Sequence, residues 1–166
     1  MIKFGVRIAP LYSPNFIFQN NGTIIFEGSV TIAENSYLSC NEGGGIIFGN
    51  NVSFNSGARI ISSNLITICE NSKFSWDDTI VDDDIHAVVN INTGEEIVQT
   101  RPIVIGKSCW VGFGCVISKG VSLADYTIVS SCSKVVGKHD KMFTILAGVP
   151  AKIIKEGYVR KDLWKL

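Results

Sequence analysis

The chain has 166 residues, one domain's worth by the usual length prior and enough to bury a real core. Apolar residues make up 46% and charged residues 18%, which argues against disorder, and no apolar run approaches the ~20 residues of a membrane-spanning helix. Net charge is zero but divided: residues 1–100 carry four Lys/Arg against eleven Asp/Glu (−7), and residues 101–166 carry eleven against four (+7). Neutral overall composition weighs against a nucleic-acid partner, and the basic C-terminal third asks for a reason of its own.

The first twenty residues lack the continuous apolar stretch of a signal peptide. Five cysteines, at 40, 69, 109, 115 and 132, form no CxxC pair and are odd in number, so reduced thiols in a cytoplasmic protein are expected. Ile plus Val number 39 against 7 Leu and 7 Ala, a β-branched excess that disfavours a helical bundle.

From Thr23 onward an apolar residue recurs every six positions: 26, 32, 38; 48, 54, 60; 68, 74, 80; 105, 111, 117; 123, 129, 135. All fifteen are aliphatic or Phe, and the fourth residue after them is usually small, as at Ser36, Ala58, Ser72, Cys109, Cys115, Thr127 and Ser133. Period six fits neither a 3.6-residue helix nor an ordinary meander of hairpins. A chain that turns every six residues makes a triangular coil of three short strands, and stacked coils form a parallel β-helix. Periodicity leaves the handedness open.

The departures from an 18-residue coil all fall between the third strand of one coil and the first of the next, so every insertion leaves from one corner of the prism. The longest follows His86 and runs over 87–101; such insertions often mark the binding face. Beyond Val136 the register fails; Met142–Ala147 reads as a strand, Gly148-Val149-Pro150 as a turn, and Tyr158–Leu166 as a short amphipathic helix able to cap an end.

His86 stands where the chain leaves the coil, beside three aspartates. Acyl transfer from a thioester to an alcohol needs a base, and a neutral imidazole suits that task. An adjacent carboxylate would fix its tautomer, and Asp84 and Asp82 are the candidates; Asp84, two residues away, shares a side with His86 on an extended strand. The aspartates at 77, 78, 82, 83 and 84 lack calcium-loop spacing, and alternate residues of a strand point apart, so no metal is expected. Cys109 and Cys115 occupy the small-residue column, which favours packing over a covalent acyl-enzyme.

Four stretches, AspAspAspIleHis at 82–86, ProIleValIleGlyLysSerCysTrpValGly at 102–112, SerLysGlyVal at 118–121 and AlaGlyValProAlaLysIleIleLys at 147–155, resemble the hexapeptide-repeat acyltransferases, most of all the sugar and polysaccharide O-acetyltransferases. The resemblance implies a single left-handed parallel β-helix of about five to six coils over about 22–149, with the corner loop and the short C-terminal helix. It implies catalysis by His86 and acetyl-CoA as co-substrate along the C-terminal coils. Carried over by motif, Trp110 and Phe113 flank the pantetheine slot, Ser131 faces it through its backbone, and Lys152 and Lys155 approach the phosphates. Asn55, Trp76 and Asp82, below His86, are the expected acceptor-binding groups. Departures from the family pattern are Ser130-Ser131-Cys132-Ser133 in place of Gly-Ala-Gly-Ser, Val136-Gly137-Lys138 in place of Thr-Lys-Asp, and the bulk of Phe113.

Related enzymes associate about a three-fold axis, which implies a homotrimer whose loop 87–101 reaches a neighbour. Two histidines cannot supply the three-histidine zinc site of the carbonic-anhydrase-like members. The helical N-terminal segments of serine, maltose and galactoside acetyltransferases find no counterpart here, which leaves a surface-polysaccharide sugar or its precursor as the expected acceptor. A xenobiotic or sugar N-acetyltransferase is the nearest alternative, and a non-catalytic β-helix scaffold the alternative of another class.

Overall fold

The fifteen hexad positions face one shared interior. In the computed structural model, which describes residues 1–6 and 16–164, fourteen of them are at most 3% exposed, and Phe26 at the N-terminal end packs against the same cluster. Each buried side chain of this size contributes ~1.5–3 kcal/mol, so the column itself is the stabilising element. In the lower coils it is aromatic: Phe26 stacks on Phe48 (5.4 Å), Phe48 meets Phe54 edge-on (6.2 Å), and Phe54 stacks on Phe74 (4.2 Å). Above Phe74 the column narrows to Ile, Val and Leu.

Three parallel sheets form the prism walls. Sheet A stacks Ile2–Val6, Val30–Ala33, Val52–Phe54, Lys73–Phe74, Trp110–Val111, Ile128–Val129 and Thr144–Gly148. Sheet B stacks Phe16–Asn20, Ser36–Cys40, Arg59–Ser62, Thr79–Val81, Val116–Ser118 and Lys134–Val135. Sheet C stacks Thr23–Phe26, Gly45–Phe48, Leu65–Ile68, Ile103–Ile105, Ser122–Leu123 and Lys138–His139. This all-β parallel β-helix matches the left-handed class. Among the described residues sheets B and C hold six strands each and sheet A seven in its parallel run, about seven turns and somewhat more than the hexads imply, because Ile2–Val6 and Phe16–Asn20 add strands ahead of the first hexad.

The corners follow from local backbone chemistry. The third residue after a core position takes positive φ, as at Asn35 (57°), Asn51 (59°), Asn71 (61°) and Gly57 (83°), conformations that Asn and Gly tolerate best. The small residue after it turns inward: Ser36, Ala58, Ser72, Cys109, Cys115, Thr127 and Ser133 are all at most 3% exposed.

The C-terminus departs from expectation. After Thr144–Gly148 the chain reverses at Val149-Pro150 and pairs antiparallel as Ala151–Glu156, adding one more strand to sheet A. The amphipathic helix expected over 158–166 is absent from the described residues; a single 3-10 turn, Lys161–Leu163, stands in its place and buries no residue. Gly157 takes φ 78°, a left-handed conformation that interrupts regular structure ahead of this segment. Nor does the segment cap an end: Arg160, Lys161 and Asp162 lie against the outer face of sheet A, where Lys73 and Asp162 pair at 3.8 Å.

Candidate active site

The expected site residues fall into two groups on different parts of the prism. Asp82, Asp84 and His86 lie at the corner between sheets B and C, where the chain leaves Thr79–Val81 and returns at Ile103–Ile105. Asn55, Trp76, Trp110, Phe113, Ser131, Lys152 and Lys155 lie on sheet A or at its corner with sheet B. Within one chain the width of sheet B separates the groups.

The long insertion is an antiparallel ribbon. Asp83 bridges Thr100 and Val89 bridges Glu96, while the N–H groups of Asp84, Ile97 and Arg101 donate to the carbonyls of Gln99, Val88 and Asp82. Ile85, Val88, Val89, Ile91, Ile97 and Val98 are each at least 50% exposed on it, a concentration of apolar surface unusual for an outlying loop.

The aspartates at its base divide by role. Asp82, expected to bind acceptor, is fully buried. It accepts from Ser62 Oγ (2.7 Å), Ser63 N–H (2.7 Å) and Asn64 N–H (3.1 Å), which ties the insertion to the corner of the coil below. Its carboxylate is thereby spent on structure. Asp83 accepts from Ile85 N–H (2.7 Å) and Gln99 Nε2 (3.0 Å). Desolvation would raise its carboxyl, but hydrogen bonds from Ser63, Ile85 and Gln99 and the charge of Lys119 outweigh it and hold the group below its ordinary value.

Asp84 pairs with Lys119, which also donates to Val98 carbonyl and so clamps both arms of the ribbon. The Asp84–His86 contact expected from strand alternation is not made. The strand ends at Val81, and Ile85 takes φ +70°, which breaks the alternation that would have aligned the two side chains. His86 is exposed, and no hydrogen bond or ion pair among the described residues involves its ring. Among the described residues no group of three His, Cys, Asp or Glu side chains gathers to hold a metal.

Sheet A carries a continuous outward ladder. Register pairs Ser53 with Lys73, Lys73 with Trp110, Trp110 with Ile128, Ile128 with Ile145 and Ile145 with Lys155. Trp110, 43% exposed, stands at its middle between two hollows. One, of about 340 Å³, is lined by Trp110, Gly112, Ile128, Ser131 and Ile145. Gly112 is required there: a Cβ would stand 2.7 Å from Ser131 N and Oγ. The other, of about 500 Å³, is lined by Asn55, Lys73, Trp110 and the C-terminal segment. Lys152 and Lys155 are exposed on the last strand of the same sheet, with Lys155 Nζ 5.3 Å from the Tyr158 ring centroid. Phe113 and Trp76 are half-exposed at its corner with sheet B.

The buried cysteines are unsuited to carrying an acyl group. Desolvation pushes the Cys109 thiol up to about 12 and the Cys115 thiol up to about 11, so neither supplies a thiolate near neutrality. All five cysteines are free. Sequence reasoning missed Lys119, Lys73 and Arg160; Lys119 alone had a signal, as part of SerLysGlyVal at 118–121.

No protein-family model matches the chain. It is 28% identical over 155 residues to WbbJ of Escherichia coli K12, named for lipopolysaccharide biosynthesis O-acetyl transfer, covering 89% of this chain and 79% of that protein. It is 28% identical over 140 residues to galactoside O-acetyltransferase of the same organism, covering 81% and 67%. Among solved structures, the polySia-specific acetyltransferase NeuO superposes with a TM-score of 0.71 at 27% identity, over 86% of this chain and 70% of that one. Galactoside acetyltransferase in complex with coenzyme A superposes at 0.59 and 24% identity, over 81% and 64%.

Proposed function

We propose that this chain, an acetyl-CoA-dependent acyltransferase of the hexapeptide-repeat type, moves an acetyl group to a sugar hydroxyl of a surface polysaccharide or its precursor, at a site built from two subunits of a homotrimer. The observation that carries this reading is the separation of the two groups of site residues. An imidazole on the B/C corner acts on a donor held along sheet A only if corner and sheet come from different copies. The exposed apolar ribbon is the surface that seats against the neighbour. The names of the relatives support a saccharide acceptor, since WbbJ, galactoside O-acetyltransferase and NeuO are each named for a glycan or galactoside substrate. The five free thiols support a cytoplasmic setting for the reaction.

The chemistry is direct transfer. His86 accepts the proton of the acceptor hydroxyl as its oxygen attacks the thioester carbonyl carbon. The C–S bond breaks, and the imidazolium returns the proton to the departing thiolate. Trp110 and Phe113 flank the pantetheine arm, Gly112 lets it approach the backbone at Ser131, and Lys152 and Lys155 face the nucleotide phosphates. Asn55 and Trp76 meet the acceptor.

Subunit complementation tests this reading. His86→Ala should lower turnover by ~10²–10⁴ while acetyl-CoA affinity stays within a few fold. Trp110→Ala should weaken donor binding instead. Mixed trimers of the two variants regain activity if each site joins His86 of one copy to Trp110 of another. Loss in every mixture, or a fully active monomer by light scattering, would overturn the composite site.

A further inference from the structure

The roughly 500 Å³ hollow between sheet A and the C-terminal segment has a cationic wall that acetyl transfer to a neutral sugar does not use. Arg160 reaches it with its side chain only 8% exposed. Its Nε and Nη1 are buried and make no hydrogen bond among the described residues, although Asp162 Oδ1 lies 3.3 Å from Nε. Asp162 is shared with Lys73, 3.8 Å away, and Lys161 lines the same hollow. Among the described residues the hollow is thus lined by three cations and one carboxylate, itself half-exposed and flanked by Arg160 and Lys73, an excess of two positive charges. A buried guanidinium with unused donors is costly unless an oxyanion completes its hydrogen bonding, and its planar fork suits carboxylate or phosphate. Trp110 forms the adjoining wall and Asn55 supplies an amide, the pairing of apolar face and hydrogen-bonding group that a sugar ring needs.

We propose that this hollow binds an anionic group of the acceptor, a carboxylate or phosphate, through Arg160 and Lys73, and so selects a charged glycan over a neutral one. The inference rests on the transferase reading only in taking the anion to be part of the acceptor. Position supports that assignment: the hollow lies on the side of Trp110 away from Lys152 and Lys155, so donor phosphates and acceptor anion occupy opposite ends of one ladder.

Binding of inorganic phosphate and of glucuronate to the full chain, by calorimetry at low salt with saturating acetyl-CoA, tests this directly. At least one anion should bind, and Arg160→Gln should weaken it at least fivefold, with Arg160→Lys and Lys73→Ala intermediate. Binding of phosphate alone identifies a phosphorylated or nucleotide-linked acceptor, and binding of glucuronate alone a sugar acid. The proposal is overturned if neither anion binds, if Arg160→Gln and Lys73→Ala both bind as wild type does, or if saturating acetyl-CoA abolishes the binding and so marks a donor site. Acetyl-CoA affinity and His86-dependent turnover, read on the same variants, separate failure here from failure of the transferase reading. Intact donor binding also verifies that each variant is folded.

Discussion

Asp78 holds a place that serine takes elsewhere in the same column. Ser36 Oγ accepts the N–H of Ala58 in the next coil (3.2 Å), and Asp78 Oδ1 accepts the N–H of Cys115 in the same manner (2.9 Å). A hydroxyl fills that space and is satisfied; a carboxylate brings a second oxygen, and Oδ2 is buried without a hydrogen-bond partner among the described residues. Desolvation pushes the group up to about 7, against the lowering effect of the Cys115 and Ser75 N–H donors. Because the folded pKa lies above the ordinary ~3.9, the proton is bound more tightly in the folded state. The stabilisation it gives is therefore complete below pH ~4, is lost as pH rises to about 7, and stays lost above. Asp78→Asn keeps the acceptor for Cys115 and removes the charge. Its stability relative to wild type should rise between pH 5 and pH 8 by about 2 kcal/mol. Denaturant melts of both proteins at the two pH values check this, and a difference that does not change with pH would mean that Asp78 ionises freely in the fold.

At the scale of elements, the ribbon that carries His86 is tied at its base by Asp82 and clamped across its two arms by Lys119. Lys119 rises from the coil above to bind Asp84 on one arm and the Val98 carbonyl on the other, with its own side chain only 17% exposed. On the proposed reading, Asp84 in this geometry acts through the ribbon as a positioning residue. A partly exposed pair of this kind is worth ~0–1 kcal/mol, so its loss should barely move global stability. Asp84→Asn and Lys119→Ala should each lower kcat several-fold, with acetyl-CoA KM unchanged and faster hydrogen exchange at the Asp84 and Ile97 amides. The double variant should be little worse than either single one, since both remove one clamp. A severe loss in Asp84→Asn beside a normal Lys119→Ala would return Asp84 to direct action on the imidazole.

What was legible in the sequence follows the same divide. The hexads place fourteen core side chains because each strand of a coil turns a residue inward at the same phase, with a second two residues earlier in strands such as Gly45–Phe48 and Ile103–Ile105, and the corner of insertion follows from where the spacing stretches. Alternation failed between Asp84 and His86 because it holds only along extended backbone, and a β-branched Ile85 in the left-handed region gives no warning in sequence. The closing hairpin lies beyond the last hexad, where no period remains to read. Arg160 was invisible because its hollow is walled by residues fifty or more positions away, on strands it meets only after the chain reverses.

For the whole molecule, a solenoid converts sequence position into height, so within the coils the acidic 1–100 segment and the basic segment after 101 lie toward opposite ends of one axis, apart from Arg160–Asp162, which folds back beside Lys73. Sheet A is the wall along which this polarity acts on a donor, since its ladder runs from Lys73 past Trp110 and Ile145 to Lys155. On the proposed reading, a nucleotide with a pyrophosphate and a 3′-phosphate would be drawn toward the C-terminal coils, leaving its thioester near Trp110, in the coil to which the ribbon returns. Lys152 and Lys155 are exposed, and Lys155 already leans on Tyr158, so each contributes at most about 1 kcal/mol after screening. Lys152→Ala with Lys155→Ala should therefore raise the KM for acetyl-CoA several-fold, and added salt should do the same to wild type, with kcat little changed. The deciding comparison uses the dephospho-CoA thioester, which lacks the 3′-phosphate. Wild type should prefer acetyl-CoA over it, and the double variant should lose most of that preference. Should the variant discriminate between the two donors as strongly as wild type, these lysines do not read the 3′-phosphate, and the basic end serves only as a solvated surface.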